Sequence, residues 1–139
     1  MNNRELDKWI AENVMGWKLK KQVALTPRDD WYWVDSKEEF KISNYDWHPT
    51  ESISDAFQVV EKMVEKGYYT EIDIDGPNTI FCCFVAGNLN VKKDGIKKTM
   101  EEKVHSAINS SASLAICFAA KKAIESETTQ ELGSETHTQ

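Results

Sequence analysis

Cysteine, glycine-rich loops and long apolar runs are what this 139-residue chain has least of, and each shortage removes a class of protein. Its three cysteines, two of them adjacent at Cys82 and Cys83, form neither an even disulfide set nor the paired hooks of a zinc site. They read as small core hydrophobes. No window approaches the roughly 20 apolar residues of a membrane span. The opening Met-Asn-Asn-Arg-Glu-Leu-Asp-Lys lacks the basic-then-apolar order of a secretory signal, so a cytosolic protein is expected. No phosphate-cradling glycine loop, metal-ligand helix motif or redox cysteine pair occurs. Basic residues are outnumbered, 17 against 23 acidic, and the formal charge of −6 repels a DNA or RNA polymer or an anionic membrane.

The length suits one domain with a real core. Leu114 to Ile124 is apolar around most of the helical circumference, so it must lie against something broad, which in a chain this short means a sheet. Leu6, Trp9, Ile10 and Val14 recur at helical spacing after a capping Asn2 or Asn3, and Gly16 supplies the stop. Pro49 to Ser52 opens a second helix, in which Ile53, Ala56, Phe57, Val60, Met63 and Val64 form one apolar stripe ended by Gly67. Strands are expected at Val23–Leu25 and Trp31–Val34, joined by a turn, and a brief one at Phe40–Ile42.

Tyr69 to Asp75 alternates, with Ile72 and Ile74 on one face and Glu71, Asp73 and Asp75 on the other. Thr79 to Ala86 is apolar on both faces, as a central covered strand is. Gly87 to Gly95 suits a hairpin loop, and Lys97–Ala107 is taken as the return strand. The expected architecture is α+β, a single antiparallel sheet flanked by helices over residues 1–125, followed by a flexible polar tail at 126–139.

Trp31, Trp33 and Trp47 either pack beneath helices or stack on a nucleobase, a contact worth roughly 1–3 kcal/mol. Lys18 and Lys20, with Lys21, offer cations for a phosphorylated ligand, as do Lys92, Lys93, Lys97 and Lys98. Arg28, on the turn between two expected strands, can hold two phosphate oxygens at once. Glu71, Asp73 and Asp75 lack the rest of a cation loop and read as a solubilising face, so no metal is assigned. His48, His105 and His137 have no nucleophile or carboxylate placed beside them by a known motif; no catalytic residue and no cofactor is assigned, and a non-enzyme is expected.

Three segments resemble the small phage and prophage proteins grouped as the phage α-β-α sandwich domain. They are Arg4-Glu-Leu-Asp-Lys-Trp-Ile-Ala-Glu-Asn-Val-Met-Gly-Trp17, Ser54-Asp-Ala-Phe-Gln-Val-Val-Glu-Lys-Met63 and Ala115-Ile-Cys-Phe-Ala-Ala-Lys-Lys-Ala-Ile124. The resemblance implies helices around an antiparallel sheet, a phage gene and action in the host bacterial cytoplasm. It implies no reaction, because the shared boxes coincide with the apolar stripes. The functional expectation is a non-catalytic anti-defence protein that sequesters a small, cyclic nucleotide signal of the host. Trp31, Trp33, Trp47, Arg28, Lys18 and Lys20 are its ligand residues and a homo-oligomer its assembly. The alternatives are an inhibitor that docks onto a host protein and, third, a nucleotide-cleaving enzyme.

Overall fold

The computed structural model describes residues 1–22, 30–86 and 104–137. The chain forms α1 (Asn3–Asn13), β1 (Lys18–Gln22), β2 (Asp30–Val34), β3 (Phe40–Ser43), α2 (Ile53–Glu65), β4 (Tyr68–Ile74), β5 (Ile80–Ala86), β6 (Val104–Asn109) and α3 (Ala112–His137). Asn2 caps α1 in a reciprocal box: its side chain accepts from the Glu5 amide at 2.8 Å, while the Glu5 carboxylate accepts from the Asn2 amide at 3.2 Å. Gly16, at φ +73°, turns the chain out of α1. Ser52 caps α2 and Gly67, at φ +99°, ends it.

Where one sheet was expected, the strands form two antiparallel sheets, β1-β2-β3 and β4-β5-β6. In each, every described strand pairs with its neighbour in sequence, and α2 separates the two sheets along the chain. β5 is the central strand of its sheet, and Cys82, Cys83, Phe84 and Val85 are buried on both of its faces. Cys82 and Phe84 join one core with Leu6, Ile10 and Val14 of α1, Ala56, Val59 and Met63 of α2, and Ala115, Ile116 and Ala119 of α3. In that core α3 lies on β5 and β6, α2 on β4 and α3, and α1 on α3.

Two sequence expectations change, at β1 and along α2. β1 occupies Lys18–Gln22, a stretch to which the sequence assigned no element; the expected strand at Val23–Leu25 and the turn after it lie outside the described residues. The loop at Gly87–Gly95 and residues 97–103 also lie outside them, whereas the return strand is present at Val104–Asn109. The α2 stripe splits: Ala56 and Met63 enter the core together with Val59, Val60 packs against it, and Ile53, Phe57 and Val64 face solvent at 46%, 50% and 53% exposure. The last helix runs on through residues 126–137. Extending a nucleated helix costs little per residue, and the Tyr68 hydroxyl donates to Glu127 across the join.

Candidate functional site

A groove of about 550 Å³ opens where α1 ends, between the β2–β3 turn and the polar side of α2. Gly16 lets the chain double back so that Trp17 lines the groove, its ring edge-on to buried Trp47 at 4.8 Å between centroids. Gln58, Lys62 and Lys66, with Glu61 and Glu65, come from one side of α2 because residues three and four apart share a helix face. Asp35, Ser36 and Lys41 complete the lining.

The turn that carries Asp35 is held by that carboxylate, which accepts from the amides of Lys37 (2.9 Å) and Glu39 (3.0 Å). The Glu39 and Lys37 amides, with Lys41 at 3.4 Å, hold its acidity below the ordinary carboxylate range. Lys62 pairs with Glu65 at 3.3 Å. Lys66 and Glu61 carry no ion pair among the described residues. The groove thus combines an aromatic wall, three ammonium groups and three carboxylates, with Lys66 the uncommitted cation.

The residues singled out from sequence fall elsewhere. Trp33 and Trp47 are corrected from ligand contacts to core: both are fully buried, with their indole N–H groups donating to Asn44 Oδ1 at 3.1 Å and the Asp7 carbonyl at 3.0 Å. No ring face is left for a base. Trp31 is 43% exposed, with the Lys21 ammonium 5.7 Å from its ring centre. Lys18 and Lys20 stand opposite Val34 and Tyr32, so they project from the other face of the sheet than Trp31, and the expected cluster is not assembled. Lys20 is further engaged by Glu38, whose hydrogen bond raises the lysine and lowers the glutamate from their ordinary acidities. Arg28, Lys92, Lys93, Lys97 and Lys98 lie outside the described residues.

Sequence reasoning did not place Lys41, Lys62 and Lys66 at the site. The available signal was Gln58, Lys62 and Lys66 at four-residue spacing on the polar side of α2, beside a helix stop that ends in tryptophan.

A second polar cluster lies at the base of the first sheet. Arg4 Nη1 donates to Asp7 Oδ2 (3.1 Å), to the Trp47 carbonyl (2.8 Å) and to His48 Nδ1 (2.8 Å), while Nη2 donates to the Asn44 carbonyl (2.7 Å). Nη1 has two hydrogens for these three neighbours, so at least one hydrogen is shared. Asp7 is buried and its Oδ1 accepts from the Thr50 amide at 3.0 Å; Asp55 accepts from the His48 amide at 2.9 Å. Apart from Arg4–Asp7 within α1, these contacts tie one chain segment to another, which is what a structural clasp does. Burial pushes the Cys82 thiol up to about 12 and the Cys83 thiol to about 11, which leaves them poor nucleophiles at neutral pH. Among the described residues no group of three His, Cys, Asp or Glu side chains could hold a metal ion, and no helix is long and apolar enough to cross a membrane.

Among the described residues, three helices and two antiparallel sheets sharing one core define an α+β sandwich with a groove at its rim. Residues 8–121 match the family model described as the phage ABA sandwich domain, and the chain belongs to that family, as its helical boxes suggested. No curated protein and no solved structure matches it.

Proposed function

We propose that this phage-family chain is a non-catalytic binding protein of the host bacterial cytoplasm that sequesters a small phosphorylated nucleotide, most concretely a cyclic nucleotide signal of antiviral defence. The observation that carries the reading is the groove, which sets Trp17 beside Lys41, Lys62 and Lys66 in a volume of nucleotide size. A base would lie along Trp17, and phosphate oxygens would take Lys66 first and then draw Lys62 and Lys41 from Glu65 and Asp35. The acidic groove members and the overall charge of −6 disfavour a polyanion, so a compact ligand with few phosphates is the better fit. The effect on the host would be mass action: a signal held at nanomolar affinity, roughly −12 kcal/mol, no longer reaches its receptor. A homo-oligomer is the assembly we assign, with Phe118, exposed on the apolar stretch of α3, at the contact.

The test is incubation with a panel of cyclic and linear nucleotides, removal of free ligand, then heating. Release of intact nucleotide supports sequestration; altered nucleotide assigns an enzyme, and no uptake rejects the reading. Lys66→Glu and Trp17→Ala should each weaken uptake at least about tenfold.

A further inference from the structure

The apolar strip of α2 that runs beside its groove-lining residues has a use of its own. Ile53, Phe57, Val60 and Val64 follow one another at spacings of four, three and four, so they make a continuous strip along the 13-residue helix, about 20 Å long. Ile53, Phe57 and Val64 are about half exposed, and Val60 between them packs against the core that holds Ala56, Val59 and Met63. Single exposed apolar side chains are ordinary at a surface, but a row of four in helical register is a contact face. The border of the strip on the groove side is Ser54, Gln58, Glu61 and Glu65; Glu65 is paired with Lys62 at 3.3 Å, and Glu61 has no ion pair among the described residues.

We propose that this strip docks an amphipathic helix of another protein, one whose apolar row is bordered by lysine or arginine. The apolar row supplies the contact area, and the acidic border supplies the preference for a basic partner. A second copy of this chain fits less well. Two α2 helices packed antiparallel about a two-fold axis would set the Glu61 borders along the same edge, like charge facing like.

The experiment titrates the full-length protein with two synthetic helical peptides that share one leucine row and differ only in a lysine or a glutamate border. The lysine-bordered peptide should bind at least about tenfold tighter at low salt, and the difference should shrink as salt is raised. Phe57→Ser should weaken that binding about tenfold, and Glu61→Lys with Glu65→Lys should reverse the border preference. Circular dichroism melts of the variants show whether the fold is kept, and the charge reversal, lying on the surface, tests the idea even if Phe57→Ser does not fold. Lys66→Ala, altered only in the groove, should bind the peptide as the parent does, so this result is separable from nucleotide uptake. Equal affinity for both peptides, or binding of neither, overturns the proposal. So does light scattering in which Phe57→Ser turns a dimer into a monomer, since that assigns the strip to a second copy.

Discussion

Asp7 shows how much one side chain can organise. Buried on α1, its carboxylate receives Arg4 and the Thr50 amide, while its backbone carbonyl receives the Trp47 indole. Asp7→Ala would strand the Thr50 amide and strip Arg4 of its ionic partner, for an expected loss of about 2 kcal/mol in chemical denaturation, with Asp7→Asn losing about half that. The discount from a fully buried pair reflects Arg4, whose side chain is 46% exposed. Asp35 gives the turn beside the groove a pH dependence of known sign. Its folded acidity is shifted below the ordinary 3.8, so its contribution is fully present above that value and is lost as pH falls through the lower folded value. Amide resonances of Lys37 and Glu39 should therefore hold their positions above about pH 4 and move together below it, and Asp35→Ala should abolish the transition.

Among the elements, those with a strong period were legible from sequence and those held by their neighbours were not. α1, α2 and β5 stand where spacing and apolar content put them, because each buries a stripe or a face that no other local structure accommodates. β1 was missed because Lys-Leu-Lys-Lys-Gln has one apolar residue and poor strand preference; it exists through its five-residue pairing with β2, and its lysines suit an edge. The stripe on α2 was legible as a pattern but not in its orientation, since only the packed structure decides which of its apolar positions meet α3 and β4. β5 and α3 also make a chemical prediction. With Cys82 and Cys83 raised to about 12 and 11 by burial, and Cys117 raised further, a thiol-specific disulfide reagent at pH 8 should modify none of the three in the native protein and all three in denaturant.

For the whole molecule, the layered α+β plan and its phage family were accessible before any coordinates, because both rest on the helical boxes near the start, middle and end of the chain. The groove was not, for it forms among segments as far apart as Val14 and Lys66, and its lysines look in sequence like any solvated helix face. The arginine clasp was invisible for the same reason, joining Arg4 to residues 44–48. That clasp and the Trp17–Trp47 contact lie at the two ends of the first sheet, where the chain departs after Trp17 and comes back at Asn44. The meander from Lys18 to Ser43 is thus a detour pinched shut at its neck, moored to the core by Leu19, Trp33 and Ile42. A detour so closed can change at its other positions while the sandwich behind it stays the same: what must be kept are its three moorings, its neck and the groove residues Asp35 and Lys41.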